Sequence, residues 1–177
     1  DEDTFNKTIC KYLEEQKIVG WFTGGSEIGP RALCHRSILA DARNEDMKNK
    51  LNKIKGREEF RPVCPVILKE ESCNWFDVQG NASSFMLFSF KCNKLELIPS
   101  AAHVDNSARI QTINEQDNYK IYKLLKMFYN ITQVPVLINT SFNAKDEPIV
   151  ETPKDAIESF LTMKLDVLVL ENYILNK

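Results

Sequence analysis

The feature that most limits what this chain can fold into is its alternation of short apolar runs with helical stretches, each run closing on glycine or on polar residues. Thr4 to Gln16 sets Phe5, Ile9, Tyr12 and Leu13 at helical spacing, and Ile18 to Thr23 follows as a β-rich run ending at Gly24-Gly25. A short helical piece is expected around Arg31 to His35, then a strand from Ser37 to Ala40. Asn44 should cap a helix whose Met47, Leu51 and Ile54 share one face. Val63 to Leu68 reads as a strand in which Pro65 forces an edge or bulge position, and Ser84 to Phe90 as a second apolar strand. Between them Gly80-Asn81-Ala82-Ser83 reads as an exposed loop, and Arg109 to Ile113 alternates like a half-buried strand. Tyr119 to Tyr129 is the clearest amphipathic helix, directing Tyr122, Leu125, Phe128 and Tyr129 inward, and Val134 to Ile138 follows as a buried strand. Thr152-Pro153 with Asp155 starts a helix that buries Ile157, Phe160 and Leu161, and Asp166 to Leu170 closes with a strand. Interleaving of this kind, without repeats or low-complexity linkers, specifies one α/β (α+β) domain over residues 1–177 built around a single sheet.

The balance of 43% hydrophobic and 27% charged residues is enough to fill one core. The opening Asp1-Glu2-Asp3, with no Met, suggests a piece of a longer polypeptide. No run reaches the roughly 18 apolar residues of a membrane span, so no membrane partner is expected. Cys10, Cys34, Cys64, Cys73 and Cys92 are odd in number and form no C-x-x-C pair, which fits reduced thiols in a cytoplasmic protein better than disulfides or zinc. A net charge of −2 speaks against a nucleic-acid partner.

Four segments could carry chemistry. Gly24 to Arg31 is a glycine turn after a strand that delivers Arg31, with Arg36 a short step later; it reads equally as an anion cradle or as a turn whose arginines pair with surface acids. Lys53 to Pro62 sets Lys55, Arg57 and Arg61 on what reads as an exposed loop shaped by Gly56 and Pro62. Alone, this segment is better explained as a solvated basic helix end than as a phosphate clamp. Asn139-Thr140-Ser141-Phe142-Asn143 turns a buried apolar strand into a polar run, either a ligand loop or a turn capping its own backbone, and Ser141 has no evident His partner for nucleophilic work. His103 to Arg109 sets Arg109 at the head of a strand, aimed into a cleft or paired with Asp105, while His103 reads as structural.

Taken together and in order, Gly29-Pro30-Arg31-Ala32-Leu33, Arg36-Ser37-Ile38-Leu39-Ala40-Asp41, Met47-Lys48, Asn52-Lys53-Ile54-Lys55, Phe60-Arg61-Pro62, His103-Val104-Asp105, Ala108-Arg109, Gln111, Val134-Pro135-Val136-Leu137, Asn139 to Asn143, Glu147-Pro148-Ile149 and Thr152-Pro153 closely resemble the C-terminal domain of the carbamoyltransferases that modify antibiotics and nodulation factors. One position departs from the family pattern. Cys34 stands where Gly is usual, which bears on the turn that places Arg31 and Arg36.

The resemblance implies a YrdC-like fold, a twisted, mostly mixed sheet flanked by helices and lining a basic cavity. Lys55-x-Arg57 and Ser141-x-Asn143 also look like the paired K-x-R and S-x-N signatures of threonylcarbamoyl-adenylate synthases. The implied chemistry is formation of carbamoyl-adenylate from carbamoyl phosphate and ATP, with Mg²⁺ arriving on the nucleotide and no metal held by this domain. A preceding actin-like domain of the same polypeptide would carry the carbamoyl group to a hydroxyl. The implied roles place Lys55, Arg57 and Arg61 on the phosphates and Arg31, Arg36 and Arg109 on substrate charge. Ser141, with Asn139, Thr140 and Asn143, would hydrogen-bond around the reacting groups. Alternatives are a threonylcarbamoyl-adenylate synthase-like enzyme, against which the Gly-Pro-Arg and Asn-Thr-Ser-Phe-Asn segments speak, and a non-catalytic nucleotide-binding or docking module.

Overall fold

A computed structural model describes residues 1–79 and 83–177, so the loop expected at Gly80 to Ala82 lies outside the described residues. Its elements are α1 (Glu2–Glu14), β1 (Val19–Phe22), β2 (Arg36–Asp41), α2 (Met47–Ile54), β3 (Cys64–Leu68), α3 (Ser72–Trp75), β4 (Ser89–Lys91), β5 (Ser107–Arg109), β6 (Gln111–Ile113), α4 (Tyr119–Thr132), β7 (Val136–Ser141), α5 (Pro153–Thr162), β8 (Val167–Leu170) and β9 (Tyr173–Asn176). Seven of these strands form one mixed sheet in the order β6-β3-β7-β2-β1-β8-β9, and β4 pairs with β5 in a separate ribbon. No helix among the described residues is long and apolar enough to cross a membrane.

Both faces of the sheet are covered, which is why its central strands read as continuous apolar runs. Alternation sends Ile138, Ile38, Ile67 and Leu168 to one side, where Met47 and Leu51 of α2 and Ala156 and Phe160 of α5 pack. Leu137, Leu39, Val66 and Val167 go to the other, against Ile9 and Leu13 of α1 and Leu124 and Phe128 of α4. The inward face of α4 is Ile121, Leu124, Leu125 and Phe128; Tyr122 and Tyr129 sit on its flanks, half-buried, because their hydroxyls stay near water. On α5, Phe160 is buried but Leu161 is 65% exposed. The helix starts as expected, with a capping box between Thr152 and Asp155.

Several expectations are corrected. Pro65 is not at an edge, since β3 lies between β6 and β7. Leu68 N–H donates toward β7, to Pro135 O. Alternation therefore turns position 65 toward β6, whose pairing begins only at Val66, so the missing proline N–H is not needed. Residues 31–35 form no helix, because the Glu27 carboxylate takes the N–H groups of Leu33, His35 and Arg36 (2.6, 2.8 and 3.3 Å) that helical carbonyls would have taken. Asp46, not Asn44, is the N-cap residue of α2, while the Asn44 side chain accepts the Asp46 N–H in a local turn. Ser84 to Phe90 is mostly not strand: consecutive apolar residues cannot all face one side of a pleat, and Phe85, Leu87 and Phe88 are 60–70% exposed. Ser83 is buried and bonded to Thr112 Oγ1 and Ile110 O. The expected strand Arg109 to Ile113 breaks at Ile110 into β5 and β6, and β9, which returns after the Glu171-Asn172 turn, was not expected.

Gly20 in β1 has a packing reason: a Cβ there would lie 2.9 Å from Phe142 Cζ and 3.3 Å from Leu165 Cδ1. Phe142 is fully buried and directly follows β7, so this contact fixes where that strand's polar end lies. Gly20→Ala is expected to cost about 1–3 kcal/mol by overpacking. A thermal melt should show a Tm lower by several degrees, and an unchanged Tm would contradict this packing account.

Candidate functional site

Strand register gathers the polar segments at one end of the sheet. Ser37 faces Ser141, Cys64 faces Asn139, Val66 faces Gln111 and Phe22 faces Arg36. The end of β7 therefore lies beside the starts of β2, β3 and β6 and the end of β1. The Asn139-Thr140-Ser141 run is not a loop but the last turnless stretch of β7, so alternation points Asn139 and Thr140 to opposite faces.

The basic segment reaches this end because of how α2 stops. Gly56 is left-handed (φ +61), Gly56 N–H bonds to Lys53 O and Arg57 N–H to Asn52 O, the two bonds of a Schellman motif. That reversal separates Lys55 from Arg57. Lys55, expected on an exposed loop, is instead 5% exposed, and its Nζ donates to Ser141 O (2.6 Å), Ser141 Oγ (3.3 Å), Asn143 O (2.8 Å) and Asn143 Oδ1 (2.9 Å). Ser141 Oγ donates to Asn143 Oδ1 at 2.6 Å, so the lysine of K-x-R and both polar residues of S-x-N close into one cluster. Burial, then the charge of Arg57, pushes the Lys55 ammonium down to about 7, while the four oxygens favour its charged form.

Asn52, not foreseen as a site residue, organises the next loop: it is fully buried, donates to Glu59 O and Arg61 O (2.9 Å each) and accepts from Arg57 Nε (2.6 Å). The signal for it was a carboxamide on the apolar face of a helix. Arg57 Nη2 is buried without a partner among the described residues, and burial followed by the field of Arg61 lowers its guanidinium pKa. Arg61 is exposed and pairs with Glu58 at 2.7 Å, a pair too solvated to neutralise it.

Arg109 is not paired with Asp105, whose carboxylate accepts instead from Ser107. It is half-buried, directs Nε and Nη2 at Cys64 Sγ and shares a recess of about 300 Å³ with the exposed Arg31, walled by Ile28, Leu33, Phe85 and Leu87. A second hollow of about 480 Å³ shares Ile28, Leu33 and Phe85 and adds Glu27, His35 and Gln111.

Arg36 is held differently, although its carbonyl accepts from Phe142 N–H. Its Nη1 donates to Thr23 O, Gly24 O and His35 O, and the guanidinium stacks 3.5 Å over Phe22, tying β1 to β2. Burial lowers its pKa, opposed by Glu27, Glu151 and Glu171. Asn139, 1% exposed, donates to Ala32 O, Gln111 Oε1 and Cys34 Sγ, and its Oδ1 has no partner among the described residues. Thr140 is half-buried and faces away from Asn139. The structure thus brings together Lys55, Arg57, Arg61, Ser141 and Asn143, with Arg109 and Arg31 alongside. Asn139 supports the loop above them, the Arg36 guanidinium is bonded to carbonyls of the β1–β2 turn, and Thr140 is on the opposite face of β7 from Asn139.

Cys34 is fully buried with φ +74, the left-handed backbone that glycine adopts freely. Its carbonyl accepts from Trp21 Nε1 (3.0 Å) and Asn118 Nδ2 (3.2 Å), and its N–H donates to Ser37 Oγ (3.0 Å), so the fold holds it there. All five cysteines are free, and burial is the chief cause raising the thiol pKa of Cys34. Among the described residues no group of three or more His, Cys, Asp or Glu side chains is arranged for a metal ion.

The mixed sheet flanked by helices has the YrdC-like fold, as likeness to solved structures shows. The chain superimposes on full-length HypF in its phosphate- and nucleotide-bound form with a TM-score of 0.68 at 18% identity, covering 94% of this chain and 25% of that one. It matches P. abyssi Sua5 complexed with L-threonine at 0.69 and 14%, covering 97% and 47%. The family described as Carbamoyltransferase C-terminus matches residues 10–177, and the chain belongs to it. It is 38% identical over 180 residues to Nodulation protein NolNO of Sinorhizobium fredii, covering 99% of this chain and 26% of that protein. It is 42% identical over 199 residues to an uncharacterised protein of Synechocystis sp., covering 100% and 32%. The chain thus spans about a third or less of the length of these relatives.

Two measurements check this geometry. Lys55→Ala leaves two carbonyls and the Asn143 Oδ1 short of a buried donor, so it should lose roughly 2–4 kcal/mol of stability, more than the relief of uncharging a buried site returns. A Tm equal to that of the parent would mean the cage is not closed in solution. At position 34 the left-handed backbone penalises any Cβ by about 1 kcal/mol, so Cys34→Gly should melt above Cys34→Ala, the reverse of an ordinary buried site. Equal or inverted melting temperatures would show that the turn is not left-handed.

Proposed function

We propose that this chain is the part of an O-carbamoyltransferase that binds carbamoyl phosphate and ATP together and forms carbamoyl-adenylate, for use by a preceding domain of the same polypeptide. The observation that carries the reading is the closure of Lys55 with Ser141 and Asn143, with Arg57 held on Asn52 nearby and Arg109 and Arg31 sharing a recess. Two polyanionic substrates repel each other, and convergent cations in a partly desolvated site offset that repulsion.

In the proposed sequence water cleaves carbamoyl phosphate to carbamate and phosphate. A carbamate oxygen then attacks the α-phosphorus of ATP, forming the new P–O bond as the bond to pyrophosphate breaks. Arg57 and Arg61 hold phosphate oxygens, Arg57 offering an unpaired Nη2, and Arg109 with Arg31 neutralises charge at the recess. Lys55 acts by fixing Ser141 and Asn143, whose polar atoms border the reacting groups, and no side chain serves as covalent nucleophile. The donor set of Lys, Arg, Ser and Asn does not fit a protein-held Mg²⁺, so Mg²⁺ belongs to the ATP that carries it. Arg36 is a strut beneath the site.

Carbamoyl-phosphate-dependent exchange of labelled pyrophosphate into ATP tests the reading. The chain should support exchange, and Arg61→Ala, at an exposed position, should lower it at least tenfold with little change in Tm. ATP binding without exchange would replace this reading with a nucleotide-binding module, and exchange that requires threonine and bicarbonate would replace it with a threonylcarbamoyl-adenylate synthase.

A further inference from the structure

Arg109 is held in an unusual way. Its Nε and Nη2 approach one atom, Cys64 Sγ, at 3.3 and 3.1 Å, the fork that a guanidinium normally offers to a carboxylate. A carboxylate there would fix the side chain and cancel its charge, whereas a thiol is a weak acceptor. Asp105, near enough in sequence to do the cancelling, is turned onto Ser107 instead. Cys64 is itself 6% exposed, opens β3 opposite Asn139, and lies within the field of Arg57. Arg109 Nη1 makes no hydrogen bond among the described residues, and the side chain lines the recess it shares with Arg31.

We propose that Cys64 is a positioning residue for anion binding: it fixes the orientation of Arg109 without neutralising it, so that an incoming phosphate meets a guanidinium already aimed and still fully charged. The saving is the rotamer freedom that a long cationic side chain would otherwise lose on binding. An anionic acceptor competes with the substrate by cancelling the charge, and no acceptor leaves Arg109 to be ordered by it. The proposal rests on the reading of this sheet end as a phosphate site and adds the residue that tunes it.

The test is titration of inorganic pyrophosphate into the 177-residue chain by calorimetry, which needs no carbamoyl chemistry. Cys64→Ser, which keeps a weak acceptor, should bind within about threefold of the parent, and Cys64→Ala should bind roughly fivefold to tenfold more weakly. Cys64→Asp should bind weakest, by more than about thirtyfold, while melting no lower than Cys64→Ala, because it holds Arg109 but occupies it. A merely structural cysteine would tie affinity to stability and would not separate them this way. In the Arg109→Ala background, Cys64→Ala should add nothing. Parent-like affinity in Cys64→Ala, or an additive loss in the double variant, would overturn the proposal while leaving the phosphate site standing. Failure of the parent itself to bind pyrophosphate would overturn the phosphate site and this proposal with it.

Discussion

The ammonium of Lys55 joins two segments 86 residues apart, and the geometry of the site hangs on that junction. Four oxygens from Ser141 and Asn143 converge on one nitrogen at the buried end of the sheet. The Schellman turn at Gly56 is what lets Lys55 reach Ser141 and Asn143 while Arg57 turns back onto Asn52. A longer α2, or any residue at 56 that resisted the left-handed backbone, would carry both side chains the same way.

Around this junction the charges divide into two groups with different work. Arg57, Arg61, Arg109 and Arg31 keep guanidinium nitrogens unpaired, weakly paired or held on sulfur, so their charge stays available. Arg36 is surrounded by carbonyls and three glutamates and supports the turn between β1 and β2. Glu27 and Asn139 hold the intervening loop from below, which lets the chain carry Cys34 in a backbone state that favours glycine.

Local pattern was enough to read α4, the N-cap and start of α5, and the buried run of β7, because each depends on neighbours within a few residues. What it missed depends on distant partners. The loop at 31–35 is decided by Glu27 acting as a foreign acceptor, and the central place of Pro65 by where β6 happens to begin. The burial of Lys55 is decided by Ser141 and Asn143, which no helical or strand period connects to it. The candidate site was legible as the coincidence of K-x-R, S-x-N and the Gly-Pro-Arg segment. The supporting roles of Asn52, Glu27 and Cys64 were not, since each acts through a neighbour and carries no motif.

Nitrogen-detected spectra of the arginine Nε–H groups, recorded as pyrophosphate is added, test the central claim that this cationic group is the polyanion site. Resonances of Arg57, Arg61 and Arg109 should move together and saturate, while that of Arg36 stays still. Movement of Arg36 with those three unchanged would place the anion elsewhere and contradict the account.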